Sequence, residues 1–271
     1  MASTSWSAIW HPMHAPRSPQ AITSDLLLLA YRSGIFPMAD ARDDPDIFWV
    51  EPRKRAILPL DGFHCSRSLA RTLRRGRFTV TCDATFEQVL AECAGPRGEA
   101  RDTWISHRIE QSYLAMHDEG QAHSIECWHD GELVGGLYGV GFDRVFCGES
   151  MFSRVPDASK VALAWLVAVL RRAGARLLDC QFMTPHLASM GAVEISQKRY
   201  LDLLAEAQAK PGYCGEAAGE GLAGVGDVVG EGVGAGLALP DGFAALLGDA
   251  KAAGSSSSPG NFIAQSLTQT S

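Results

Sequence analysis

The sequence predicts a mixed α+β fold. Three observations carry that reading: a strand–helix–strand unit from Val145 to Met183, a hairpin about Asp130-Gly131, and amphipathic helical stretches on either side. In the unit, Val145–Phe152 is apolar or aromatic except at Gly148, Glu149 and Ser150, which suits a strand. Asp157 is placed to cap the helix that follows, because a short carboxylate accepts the free N–H groups of a first turn. Val161–Leu170 is a run of ten apolar residues, long for a strand and right for a buried helix. Gly174 is a natural stop, and Arg176–Met183 reads as a second strand, parallel to the first. Three polar side chains interrupt these strands: Glu149, Asp179 and Gln181. Strand alternation puts Asp179 and Gln181 on one face and Cys180 on the other. A buried carboxylate is costly unless it is paired or used, so these three are the candidate chemistry.

The other elements follow in order. Residues 1–20 hold three prolines and little periodicity and are expected to be a flexible arm. Ser24 caps a short predicted helix, Asp25–Ser33, stopped by Gly34 and Pro37. Phe48–Val50 and Ala56–Leu58 read as short strands among prolines. Together these make a small N-terminal module, residues 1–61. Residues 62–210 form the main domain. It starts with a helix, His64–Arg75, whose Arg67, Arg71, Arg74 and Arg75 recur at helical spacing and lie mostly on one face. A strand at Arg77–Cys82 and helices at Phe86–Cys93 and Ser106–Glu119 come next. The hairpin pairs Ser124–His129 with Glu132–Val140. A short helix after Thr184 and a last one, Gln197–Ala207, close the domain. Residues 211–271 are rich in Gly, Ala and Ser and poor in aromatics, and are expected to be largely disordered, with a transient helix at Leu237–Leu247.

The net charge of −7 is unevenly spread. Leu201–Ser271 carries eight acids and two bases, whereas Arg53–Arg77 carries eight bases against Asp61 alone. A basic patch of that size attracts phosphate even on an acidic protein. The seven cysteines include no C-x-x-C pair, which points to reduced thiols in a cytosolic protein. The first twenty residues lack the apolar core of a signal peptide, and the ten-residue apolar run is too short to span a bilayer. The histidines show no metal-ligand spacing.

Several motifs, taken in order, resemble the leucyl/phenylalanyl-tRNA–protein transferase family. They are Tyr31–Pro37 (YRSGIFP), Phe48-Trp49, Thr103-Trp104-Ile105, Ala122–Glu126 (AHSIE), Leu133–Val140 (LVGGLYGV), Phe146–Ser153 (FCGESMFS), Asp157–Lys160 (DASK), Asp179-Cys180-Gln181 and Gly191-Ala192. They span about residues 25–205. The sequence departs from the family in a shorter N-terminal segment, where only Asp25-Leu26 remains of a Gly-Gly-Asp-Leu turn, and in the Gly-rich tail. The resemblance implies a small N-terminal domain on a C-terminal domain of GCN5-type acetyltransferase (GNAT) fold. It implies transfer of Leu or Phe, and less well Met, from tRNA to the α-amine of a protein that begins with Arg or Lys, marking it for degradation in bacteria. It implies no metal and no coenzyme.

That reaction is aminolysis of an activated ester, so positioning carries much of it. By resemblance, Asp179 and Gln181 are the catalytic pair. An amide oxygen is a poor base, so Gln181 would orient the attacking N–H under polarisation by Asp179, with the ribose 2′-hydroxyl as the alternative proton shuttle. Glu149 would hold the α-ammonium of the aminoacyl group or the acceptor amine; the alternative is that all three form a structural polar network. The pocket has to admit Leu and Phe and refuse branching at Cβ, and a methylene is worth only about 1–3 kcal/mol, so shape must do the excluding. Leu137, Leu166, Leu170 and Leu178 are the expected lining. Trp49, Trp104 and Phe146 are candidates to stack on the terminal adenine. Arg67, Arg71, Arg74 and Arg75 would track acceptor-stem phosphates. Cys180 with His186 is read as structural. Arg171–Arg176 half resembles the acyl-CoA pyrophosphate loop of acetyltransferases, but Arg176 replaces its final small residue, which counts against the alternative of an acetyl-CoA-dependent N-acetyltransferase. A non-catalytic tRNA-binding protein is the other alternative. A monomer is expected.

Overall fold

The computed structural model describes residues 20–95, 103–209, 237–253 and 259–268. In chain order the elements are α1 (Ser24–Arg32), β1 (Phe36–Met38), β2 (Phe48–Val50), β3 (Lys54–Ile57), α2 (Arg67–Arg74), β4 (Thr79–Cys82), α3 (Phe86–Ala94) and α4 (His107–Asp118). They continue with β5 (Ala122–His129), β6 (Glu132–Phe142), β7 (Val145–Ser153), α5 (Ala158–Arg172), β8 (Leu177–Gln181), α6 (Pro185–Ala188), β9 (Val193–Ser196), α7 (Gln197–Gln208), α8 (Leu239–Ala252) and α9 (Pro259–Thr268).

The main sheet has seven strands in the order β4-β5-β6-β7-β8-β3-β9. All neighbours are antiparallel except β7 and β8, which run parallel as the strand–helix–strand reading requires. The β5–β6 turn places both Asp130 and Gly131 at positive φ, the conformation that matches the twist of a two-residue hairpin. Helices cover both faces. On one, α5 is buried along nearly its whole length and packs with residues of α2, α6, α8 and α9. On the other, residues of α1, α3, α4 and α7 build a second core. Coverage of both faces explains why the first six residues of β5 are all buried.

Two local features position the site. First, β7 carries an extra residue opposite β6: Tyr138 pairs with Ser150 and Gly139 with Gly148, leaving Glu149 as a bulge. Gly139 permits this close approach. A Cβ there would meet the Cys147 carbonyl and the Phe146 ring. Second, β7 and β8 pair only from Val145–Leu177 to Cys147–Asp179. Beyond that point the ladder ends, and a gap opens between Glu149 and Gln181.

Several expectations need correction. Thr23, not Ser24, caps α1, its hydroxyl accepting from the Leu26 N–H. Asp157 precedes α5 but makes no capping bond; its φ is 72°, and its carboxylate instead accepts from Thr72 and Lys160. The third strand of the N-terminal module, β3, is inserted into the main sheet between β8 and β9. β9 has no counterpart among the expected strands. Its burial shows why: three of its four residues are exposed, so it leaves no apolar pattern. The tail expected to be largely disordered contains two docked helices. Leu239, Phe243 and Leu246 of α8 and Ile263, Ala264 and Leu267 of α9 are buried, and Phe243 lies against Trp165. Gly260 allows α9 to meet the backbone of Leu73 in α2, where any Cβ would collide with the Leu73 carbonyl. The expected arm at 1–19 and the Gly-rich stretch 210–236 lie outside the described residues.

Truncating a buried Phe costs about 3–5 kcal/mol. Phe243→Ala should therefore lower stability by about 3 kcal/mol in chemical denaturation; an unchanged midpoint would mean that α8 is not part of the core.

Candidate active site at the gap between two parallel strands

A cavity of about 390 Å³ opens at this gap. Its apolar wall is Leu137 of β6, Met151 of β7, Leu163 and Leu166 of α5, Leu178 of β8 and Leu187 of α6. Its polar edge is Glu149 and Gln181, and Trp104, Tyr138, Phe182 and His186 complete the rim. Glu149 is 8% exposed, so a carboxylate has been carried into the core and left facing a void.

Its partners show how it is kept there. Oε1 accepts from the Gln181 amide at 2.8 Å and from the Tyr31 hydroxyl at 2.8 Å, and Oε2 accepts from Tyr113 at 3.1 Å. Burial raises the Glu149 pKa from 4.5 to about 7, even though these hydrogen bonds pull it down. The amide nitrogen of Gln181 is thus committed to Glu149, and the amide oxygen is the atom left to accept from a bound molecule. Gln181 has φ +61°, a left-handed backbone rare for a residue with a Cβ. The Asp179 carboxylate holds it by accepting the Gln181 backbone N–H at 2.8 Å.

Asp179 does not reach the cavity. It is fully buried behind Gln181, where Arg55 Nε donates to it at 2.9 Å, Arg55 Nη2 at 2.6 Å and Tyr200 at 2.9 Å. Arg55 is itself 1% exposed. Burial disfavours its charge, but Asp179 more than compensates, and its pKa is raised.

Residues 57–205 match the family described as Leucyl/phenylalanyl-tRNA protein transferase, and residues 20–53 match the N-terminal domain of the same family. A protein of Novosphingobium aromaticivorans named leucyl/phenylalanyl-tRNA–protein transferase is 67% identical over 265 residues, covering 93% of this chain and 98% of that one. A protein of the same name from Rhizorhabdus wittichii is 58% identical over 205 residues, covering 76% of this chain and 80% of that one. One from Zymomonas mobilis is 57% identical over 186 residues, 69% of each. The chain belongs to the leucyl/phenylalanyl-tRNA–protein transferase family.

Within this family member, the sequence-predicted residues divide as follows. Glu149, Gln181, Leu137, Leu166, Leu178 and Trp104 meet at the cavity. Leu170 is buried in the core one turn further on and does not line it; Leu163, one turn the other way, does. Helical periodicity alone could not choose between them. Phe146 is fully buried with its ring against Gly139, so no adenine can reach it. Trp49 is 41% exposed on β2 and lines a separate shallow groove with Leu26 and Arg108. Strand alternation misled for β8, because the left-handed turn at Gln181 sends its side chain to the cavity while Asp179 stays behind. Cys180 lines the cavity, but burial pushes its thiol pKa far up, which leaves it a poor nucleophile. Arg171–Arg176 closes a helix C-terminus, where carbonyls repel phosphate, and Arg171 is spent on the carbonyls of Leu60 and Ser266. Arg67, Arg71 and Arg74 of α2 and Arg75 just after it are exposed, and none makes an ion pair among the described residues. α2 packs with α5, which supplies part of the cavity wall, and its Thr72 donates to Asp157 at the start of α5. Among the described residues no cluster of His, Cys, Asp and Glu is arranged to hold a metal, and no helix is long and apolar enough to cross a membrane.

Sequence reasoning misses Tyr31, Tyr113, Arg55 and Tyr200. Tyr31 stands in a family motif without an apolar strand around it to mark it out, and Arg55 reads as one of the phosphate-attracting bases. Removing one partner of a buried ion pair costs about 3–5 kcal/mol, whereas replacing both by apolar groups is often neutral. Arg55→Met should destabilise the protein by that amount in urea unfolding, and Arg55→Met/Asp179→Leu should recover most of it. Additive losses would contradict the pairing.

Proposed function

We propose that this chain moves Leu or Phe, and less well Met, from aminoacyl-tRNA to the N-terminal α-amine of proteins beginning with Arg or Lys, marking them for degradation in the cytoplasm. The observation that carries this reading is the cavity itself: an apolar slot ending on Glu149 and Gln181, in a member of this family whose α2 exposes Arg67, Arg71 and Arg74. The aminoacyl side chain fills the slot among Leu137, Leu163, Leu166 and Leu178. Its ester carbonyl then lies at the Glu149–Gln181 edge. Shape near that edge refuses branching at Cβ, since burial of a methylene alone discriminates too weakly.

The roles of the polar residues follow from their placement. Gln181 presents its amide oxygen to the attacking amine and orients it. Asp179 acts through the backbone of Gln181 and is a positioning residue, not one that touches substrate. Trp104 and the 47%-exposed Phe182 offer flat surfaces for the terminal adenine, with the exposed Trp49 as an outer contact. Arg67, Arg71, Arg74 and Arg75 follow the phosphates of the acceptor stem, which makes binding sensitive to salt and indifferent to sequence. Residues 62–210, with β3 inserted into their sheet, would form a GNAT-type domain, a reading supported by the parallel pair that separates at the site, with the residues before β3 as its N-terminal companion. The protein is proposed to act as a monomer without metal or coenzyme.

Incubation with labelled Phe-tRNA and peptides differing in the first residue tests this. Transfer to Arg- and Lys-peptides is expected, with little to Ala-peptides; equal transfer to all would reject the specificity. Arg71→Ala/Arg74→Ala should weaken tRNA binding and flatten its salt dependence by roughly one unit of log–log slope for each phosphate no longer neutralised. An unchanged slope would remove α2 from the interface.

A further inference from the structure

Glu149, Tyr31 and Tyr113 form a closed chain of oxygens. Tyr31 Oη lies 2.8 Å from Glu149 Oε1, Tyr113 Oη lies 3.1 Å from Oε2, and the two hydroxyls are 2.5 Å apart. Three oxygen–oxygen pairs need three protons. With Glu149 ionised, the two phenols supply only two, and one pair is left without a hydrogen. A third proton, on the carboxyl, completes the chain: carboxyl to Tyr113, Tyr113 to Tyr31, Tyr31 back to the carboxylate. The group can therefore take up one proton without losing a hydrogen bond. Both phenols keep their own protons, since burial and then the Glu149 charge raise their pKa values well above 10. The carboxyl is the site that titrates, near pH 7.

The groups facing Glu149 agree with this. Tyr31 comes from α1, Tyr113 from α4, and Cys147 from its own strand, with burial pushing that thiol up and keeping it protonated. On β8, Gln181 is neutral, and the negative charge of Asp179 is met by Arg55 of β3. Across the cavity, His186 has its pKa lowered, first by burial and then by Lys160, and its Nε2 is buried without a partner among the described residues.

We propose that Glu149, with Tyr31 and Tyr113 sharing the proton, is the proton acceptor for the incoming amine; this rests on the transfer reaction proposed above. The acceptor enters as an ammonium with one N–H on the Gln181 amide oxygen. Glu149 takes one proton and leaves a neutral amine. The N–C bond forms as the ester C–O bond breaks, the second nitrogen proton passes to the departing 3′-oxygen, and the third remains on the new amide. The carboxyl then gives its proton to water. Glu149 is thereby a catalytic residue, and the two tyrosines are positioning residues that set its proton affinity.

The test is the pH profile of kcat/KM for transfer from Phe-tRNA to an Arg-peptide. A base acting on an ammonium gives a bell, falling below about pH 7 with Glu149 and above about pH 8 with the peptide amine, whose ordinary pKa is about 7.7–8.0. Glu149→Gln should be slower at the optimum by about 10²–10⁴-fold and should show a single rise with the amine. Tyr31→Phe and Tyr113→Phe each break the closed chain that sets the proton affinity of Glu149, so each should displace the acid limb from its wild-type position. The tyrosine variants also keep the test open if Glu149→Gln does not fold, and a merely structural tyrosine would change the rate without moving the limb. A wild-type profile with a single rise, a bell retained in Glu149→Gln, or acid limbs unmoved in both tyrosine variants would overturn the assignment while leaving the transfer activity standing. Absence of transfer by the wild type at every pH would instead overturn the function on which it rests.

Discussion

The buried pair of Arg55 and Asp179 is the constraint on which the rest of the site depends. Two charges taken out of water cost more than their attraction returns unless their remaining hydrogen-bonding capacity is used. Here much of it is. Arg55 donates to both Asp179 oxygens and to the Gly34 carbonyl, and lies over the rings of Phe36 and Tyr200. Asp179 accepts in addition from Tyr200 and from the Gln181 backbone. One ion pair therefore joins the N-terminal segment, the sheet and α7, and it fixes the left-handed residue at which β8 turns into the cavity.

From that anchor, the cavity follows from two departures from regular sheet geometry. The bulge at Glu149 gives β7 a side chain with no cross-strand partner, and the end of the β7–β8 ladder leaves room beside it. Gln181 bridges the opening through its bond to Glu149. A fully paired sheet would have closed the gap and buried the carboxylate without use. α5 supplies the other wall, which is why a helix apolar on all sides is placed here: one face packs on the sheet, another receives α8, and a short stretch faces the void. The C-terminal helices add to this by covering α5 and bracing α2, the helix that carries the exposed arginines.

Much of this was legible from residue order. Periodicity and turn residues located α1 to α5, the hairpin and the parallel pair, because those elements alternate or repeat over enough residues to leave a pattern. Glu149 and Gln181 stood out as polar residues in apolar strands. What the sequence could not carry was geometry set by tertiary contact. Nothing local to Asp179 says that its partner lies 124 positions away, so its charge read as a catalytic group and Arg55 as a surface base. A positive φ at a glutamine is unexpected from local preference, and it reversed the face assignments at the end of β8. Phe146 looked like a ligand contact only because the glycine that receives its ring lies on another strand. The tail misled through composition: Gly and Ala dominate it, yet a few apolar residues at helical spacing suffice when α5 offers a ready surface.

The most direct test is a crystal structure of the protein with a phenylalanyl-adenosine analogue whose ester is replaced by an amide. The phenyl ring should lie among Leu137, Leu163, Leu166 and Leu178, with the carbonyl within hydrogen-bonding reach of the Glu149–Gln181 edge and Asp179 still paired with Arg55. A phenyl ring bound outside this cavity, or Asp179 released from Arg55 to contact the analogue, would contradict the account.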